Sequence, residues 1–257
     1  MGVGPRGNVE DDRSAAQPEP RAKTKPTQRE TGGTVAKRSP GAGGLGERLR
    51  VFAKSRGIPL TPGQARRLER LDRLVTEWSR VLDLSGFRDA EERISRYFLE
   101  PLDALRWIPD RAGEALDVGT GGGSPALPLA VVAPGHRWTL LEPNRRRGVF
   151  LEEALAQLRL PGARVQRTRL QAFLPEKPFV VITSRGVSLD EASLGRMATW
   201  LEPGGRLLLF TGRARSEALL AWRGCLREKA RVALAPGFRG WLLVLERLQP
   251  LERLEKP

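Results

Sequence analysis

The residues best suited to chemistry lie in one short stretch, Leu116-Asp117-Val118-Gly119-Thr120-Gly121-Gly122-Gly123-Ser124-Pro125, and in one acid downstream, Glu142. A short apolar run leads into Asp117, and the glycines that follow free the backbone to adopt positive φ and to admit a ligand at close range. Glu142 closes a second apolar run, Trp138 to Leu141, and lies twenty-five positions after Asp117. A carboxylate at a strand tip accepts hydrogen bonds from both hydroxyls of a ribose. Strand, glycine turn, helix and a second strand ending in an acid make the first half of a nucleotide-type site. A glycine-rich turn that binds nothing explains the loop alone, but not the spaced acid.

The loop narrows the ligand. A dinucleotide fingerprint counted from Gly119 requires glycine at position 124, where the chain has Ser124. Counted from Gly121 it ends on Ala126, a permitted variant, but it then starts late and contains Pro125. The run from Asp117 to Gly123 is similar instead to the D-x-G-x-G-x-G loop of S-adenosylmethionine (SAM)-dependent methyltransferases. SAM has no pyrophosphate to wrap and needs close backbone approach and a carboxylate near its ammonium group. On that reading Gly119, Gly121 and Gly123 give backbone approach, Asp117 faces the ammonium and Glu142 the ribose.

Composition limits the partners. The 257 residues carry 44 Lys and Arg against 30 Asp and Glu, a net charge of +14. Such an excess points to a polyanion, nucleic acid before a membrane surface. No apolar run has the length of a membrane span, and the first ten residues lack a signal core, so a cytoplasmic protein is expected. With one Cys and one His, disulfides and His/Cys metal clusters are excluded, and no metal is expected. His136, after Pro134-Gly135, reads as a loop residue, and Cys225 as a half-buried residue of a helix.

The elements that must position these residues can be read from periodicity. Residues 1–44 hold few large apolar side chains and read as a disordered basic tail. Helices are predicted over Leu45–Arg56, from Thr61-Pro62-Gly63-Gln64 onward with Ala65, Leu68, Leu71, Val75 and Trp78 inward, and over Asp89–Leu105. Together they form a helical subdomain, residues 45–110. From residue 111 to 257 strands and helices alternate. Strands are predicted over Ala115–Val118, Trp138–Glu142, Arg164–Thr168, Phe179–Ser184, Arg206–Thr211 and Trp241–Leu248. Helices are predicted over Pro125–Val132, Arg145–Leu158, Leu189–Trp200 and Ser216–Lys229. Alternation of this kind gives an α/β fold, a Rossmann-like doubly wound parallel sheet, with ligands at the carboxyl ends of the strands.

Several motifs then coincide. The stretch Asp117 to Ala130 carries two prolines, Pro125 and Pro128. Leu140-Leu-Glu142-Pro-Asn144-Arg-Arg146-Arg147, Thr183-Ser184-Arg185, Trp78 with Leu82-Asp-Leu-Ser85, and Arg96 to Leu102 complete the set. With these the chain resembles the bacterial small-subunit ribosomal RNA guanine-N7 methyltransferases once named glucose-inhibited division protein B. The resemblance spans roughly Leu68 to Leu248. It departs at Tyr97 (a histidine in the family), Glu100 (an aspartate), Pro101 (a serine), Ser124 (a phenylalanine) and Gln171 (an acid).

The resemblance implies a class I SAM-dependent methyltransferase fold, SAM as cofactor and 16S ribosomal RNA, free or in the small-subunit particle, as partner. It implies guanine 527 as target and a monomer. A drifted paralogue that binds RNA or assists ribosome assembly, or that methylates another substrate, is the alternative. Gln171 falls on the cofactor side. Arg185 is the candidate catalytic residue, also lining the cofactor site, and orients the target nucleotide through its planar fork; the competing reading is a structural salt bridge to Asp117 or Glu142. Arg145, Arg146 and Arg147 oppose the helix dipole, which suggests an anionic ligand as much as a solvated cluster. Arg213 is a further RNA-side candidate. Guanine N7 has a free lone pair, so no general base is required, and placement of N7 against the methyl group carries the catalysis.

Overall fold

The computed structural model describes residues 44–84, 86–87, 89–220, 224–234 and 240–249. The expected tail lies outside the described residues apart from Gly44. Helix α1 (Leu45–Ser55) and helix α2 (Pro62–Trp78) come first. The α2 capping box is present: Thr61 Oγ1 accepts from the Gln64 amide at 3.2 Å, and Gln64 Oε1 accepts from the Thr61 amide at 2.9 Å. Two orphan donors are thereby satisfied, and α2 buries Ala65, Leu68, Leu71, Leu74 and Val75.

The helix predicted over Asp89–Leu105 is not one α-helix. It consists of α3 (Ala90–Arg93), a π-helical turn (Ile94–Leu99), α4 (Glu100–Ala104) and a closing 3₁₀ turn (Leu105–Trp107). The cause is local. The Glu100 amide reaches back five residues to the Ser95 carbonyl, and Pro101 has no N–H to give to the carbonyl of either Arg96 or Tyr97. Both carbonyls are therefore available to side chains from elsewhere.

The sheet has seven strands in the order β3-β2-β1-β4-β5-β7-β6. The strands are β1 (Gly113–Val118), β2 (His136–Leu141), β3 (Ala163–Gln166), β4 (Phe179–Arg185), β5 (Leu201–Gly212), β6 (Leu226–Ala233) and β7 (Gly240–Arg247). Helices α5 (Ala126–Val132), α6 (Arg145–Leu158), α7 (Glu191–Trp200) and α8 (Arg213–Leu220) connect them. Pairing is parallel from β3 through β5, but β7 runs antiparallel to β5 and β6 antiparallel to β7. The sheet is thus mixed, which corrects the all-parallel expectation.

The helix expected over Ser216–Lys229 is also corrected, because its second half is the edge strand β6. Cys225 is half-buried just before that strand rather than within a helix. His136 is the first residue of β2, buried, with Nε2 at 3.1 Å from the Pro109 carbonyl; it is not a loop residue.

Alternate strand residues face opposite layers, the period-two consequence of pleating. Ala115, Leu140, Val181 and Leu208 pack with α2, α5 and α6, while Leu116, Leu141, Ile182 and Leu207 pack with α7. Strand order reverses between β1 and β4, and the crevice at their carboxyl ends is where an open α/β sheet binds its ligand.

Candidate functional site

Beyond β1 the chain turns through Gly119, Gly121 and Gly123 at φ of 69°, 56° and 97°, a region costly to any side chain. Three of the loop glycines serve the protein's own packing. A Cβ on Gly119 would strike Val187, one on Gly122 the Leu84 carbonyl, and one on Gly123 the Leu127 side chain and the Tyr97 hydroxyl. At Gly121 the nearest such atom is the Gly119 carbonyl at 3.8 Å. Here alone in the loop the missing side chain leaves open room.

Glu142 holds this loop. Its Oε2 accepts from the Gly121 amide at 2.8 Å and its Oε1 from the Asn144 amide at 2.8 Å. Each oxygen retains a lone pair for a further donor. Glu142, Gly121, Tyr97, Arg147 and Arg185 line one cavity of about 510 Å³. A neighbouring lobe of about 200 Å³, sharing Gly119, Pro143 and Val187 with it, has Leu141, Leu170 and Leu189 as apolar walls and Gln171 at its border. A polar cleft joined to a slot with apolar walls suits a nucleoside with a charged tail.

Asp117 is set differently from the expectation. It is buried beneath the loop, 1 % exposed, and is not among the residues lining the cavity. One carboxylate oxygen, Oδ1, accepts a hydrogen bond from Thr183 Oγ1, while Oδ2 has no hydrogen-bond partner. Burial pushes this carboxyl up to about 6, with the Thr183 hydroxyl pulling the other way. An unpartnered buried oxygen under the loop is what a cationic group bound above it would favour.

Arg185 ends β4 between two buried partners. Nη2 donates to Glu100 Oε2 at 2.7 Å, Nη1 donates to the Arg96 carbonyl freed by Pro101, and the guanidinium lies 4.3 Å from the Phe210 ring centre. Burial draws its pKa down to about 10, against the pull of the Glu100 carboxylate. The salt bridge anticipated for Arg185 therefore exists, but to Glu100 and not to Asp117 or Glu142. The second freed carbonyl, that of Tyr97, accepts from Ser124 Oγ at 3.1 Å, and the Tyr97 hydroxyl donates to the Gly122 carbonyl at 2.7 Å. Tyr97, Glu100 and Thr183 act across a long stretch of chain or beneath the surface, and Asn144 acts locally as the cap of α6; none of the four was singled out as a site residue from the sequence.

The basic candidates divide. Asn144 caps α6 by accepting from the Arg146 and Arg147 amides at 3.0 and 3.1 Å. Arg146 donates to the Val81 carbonyl at 3.1 Å and Arg147 to that of Asp83 at 3.0 Å, which ties the segment after α2 to α6. Arg145 is exposed. Arg213 opens α8 with an exposed ion pair to Glu217 at 3.3 Å. No group of three or more His, Cys, Asp or Glu suited to a metal occurs among the described residues, and no helix among them is long and apolar enough to cross a membrane.

Comparison with known proteins gives the family and the fold. A family model described as rRNA small subunit methyltransferase G matches residues 64–238. A relative so named from Pseudomonas putida is 32 % identical over 208 residues, covering 78 % of this chain and 94 % of its own. Another from Pseudomonas aeruginosa is 36 % identical over 199 residues, covering 74 % and 90 %. Among solved structures, the N-methyltransferase NodS from Bradyrhizobium japonicum, in complex with S-adenosyl-L-homocysteine, superposes with a TM-score of 0.52 at 18 % identity, covering 70 % of this chain and 97 % of that one. The fold is that of the class I SAM-dependent methyltransferases, and the chain belongs to the rRNA small subunit methyltransferase G family.

Proposed function

We propose that this protein methylates N7 of a guanine in small-subunit ribosomal RNA, with guanine 527 as the target favoured by family resemblance. That it is a SAM-dependent rRNA methyltransferase follows from its family. The observation that carries the reading of the site is Glu142, which braces the Gly121 amide and keeps acceptor capacity at the cavity wall. Bound SAM supplies a methyl group on a positively charged sulfur, which leaves as the neutral thioether when the N7 lone pair takes the methyl.

The chain's own groups position rather than activate. Glu142 accepts from ribose hydroxyls, and the loop amides and the lobe beside Gln171 hold the rest of the nucleoside. Asp117 supplies negative charge beneath the loop. N7 carries no proton to remove, and among the described residues the cavity wall offers no His or Cys as a base. Catalysis on this account is alignment of N7 with the methyl group. Arg185 acts through Glu100 and Phe210 as a positioning residue, while Arg145 and Arg213, exposed beside the crevice, meet RNA phosphates. The protein works as a monomer on free RNA or on the particle.

Transfer of labelled methyl from SAM to small-subunit RNA tests this. The expected result is incorporation that Glu142→Ala abolishes. Undiminished transfer by that variant would show the site to be wrongly assigned.

A further inference from the structure

Beside the cofactor cavity lies a second one, of about 240 Å³, to which no occupant has yet been assigned. Arg96, Arg185, Gly186 and Val187 line both cavities, so the two adjoin at the end of β4. Phe210 and Thr211 of β5 and Leu219 of α8 form its far side. The space equals that of about eight molecules of liquid water, enough for one planar base. It also borders Glu100, which is 3 % exposed.

Glu100 is half spent. Its Oε2 holds Arg185, yet Oε1 is buried with no hydrogen-bond partner. A buried carboxylate oxygen without a donor is costly, and native structures keep few of them. Arg185 spends Nη2 on Glu100 Oε2 and Nη1 on the Arg96 carbonyl, and none of its N–H groups reaches Oε1. A ligand can.

We propose that this cavity seats the acceptor base and that Glu100 selects guanine, its Oε1 accepting from the N1–H and N2–H edge. The proposal rests on the methyltransferase reading above. An ionised carboxylate only accepts hydrogen bonds. Guanine alone among the four bases presents two adjacent donors on its pairing edge; adenine places an acceptor at N1, and uracil flanks its single N–H with carbonyls. A base whose pairing edge is read this way has left its stack, as in enzymes that extrude their target. The contact also favours the reaction itself. A methyl group arriving at N7 brings positive charge onto the purine and makes N1–H more acidic, so the hydrogen bond to Oε1 strengthens toward the transition state. Interactions of that kind raise kcat rather than only lowering KM.

The test compares small-subunit RNA fragments that carry guanine or inosine at the methylated position. Inosine keeps N7 and N1–H but lacks the N2 amine. The expected result for the unmodified protein is a kcat/KM roughly 10- to 100-fold lower on inosine, the range for one lost hydrogen bond to a charged group. Fragment binding with S-adenosyl-L-homocysteine present should weaken in the same sense. In Glu100→Gln absolute activity falls, and the guanine-to-inosine ratio closes toward one; loss of fold alone would not move that ratio. Equal rates on the two fragments with the unmodified protein would overturn the proposal and leave the methyltransferase reading intact. No methyl transfer to any RNA would overturn that reading, and this proposal with it.

Discussion

The two halves of the crevice are built by different means. On the cofactor side, Gly121, Glu142 and Asn144 are joined through backbone amides across β1 and β2, neighbours in sequence and in the sheet. On the acceptor side, a buried ion pair links Glu100 to Arg185 across 85 positions, with Phe210 of β5 beneath the guanidinium. The first half depends on main-chain conformation and on one acid. The second depends on charge neutrality inside the protein, where removing one partner leaves the other exposed to the full desolvation penalty. Damage on the cofactor side should therefore cost affinity, and damage on the acceptor side should cost the fold.

The contrast is broken most severely at the ion pair. Arg185→Ala strands the Glu100 carboxylate and is expected to lower unfolding free energy by about 3–5 kcal/mol. The double replacement Glu100→Leu with Arg185→Met should recover most of that loss in urea unfolding while leaving the enzyme inactive. If the single variant is as stable as the parent, the pair does not hold this half together.

Glu142→Ala comes next and should read out in affinity. Loss of two hydrogen bonds to a charged acceptor, about 1.5–3 kcal/mol each, predicts SAM binding weaker by roughly 100-fold or more in calorimetry. Its melting temperature should change far less than that of Arg185→Ala.

Asp117 gives a pH signature. Its folded pKa of about 6 stands above the ordinary value of 3.8, so the native chain retains a proton that the unfolded chain has released between them. Its contribution to stability is therefore present below pH 4 and is lost as pH rises through about 6. A bound ammonium favours the ionised form, so SAM affinity should rise about tenfold between pH 5 and pH 7 and then level off. Asp117→Asn should bind more weakly, lack that rise, and be the more stable protein without ligand above pH 6. A pH-independent affinity in the parent would remove Asp117 from the cofactor's electrostatics.

The smallest effects belong to the latch between the halves. Tyr97→Phe and Ser124→Ala each delete one hydrogen bond to a carbonyl and should cost about 1 kcal/mol apiece. Because Tyr97 and Ser124 meet across one turn of loop and helix, their effects should not add.

The same division explains what could be read from the chain. The glycine loop and Glu142 were legible because their chemistry is carried by spacing along adjacent strands. The parallel strands β1, β2, β4 and β5 were found as continuous apolar runs, the mark of strands buried on both faces. Strand β6 was hidden: Arg227, Glu228, Lys229 and Arg231 face water along it, and a register shift between Glu228 and Ala230 breaks its alternation. Charged residues and bulges are how an edge strand avoids pairing with other chains, and they also erase its pattern.

Glu100 could not be read as a site residue, because only the fold brings it to Arg185. For the arginines after Asn144 the sequence suggests an anionic ligand as much as a solvated cluster, and the fold adds that Arg146 and Arg147 donate to the carbonyls of Val81 and Asp83.

The central claim is methylation of guanine N7 in small-subunit RNA. It is tested most directly by mapping N7-methylguanine in ribosomal RNA from cells with and without this gene. The account predicts one modified guanine in the small-subunit RNA that disappears with the gene and returns with the parent protein, but not with Glu142→Ala. An unchanged N7-methylguanine map would contradict it.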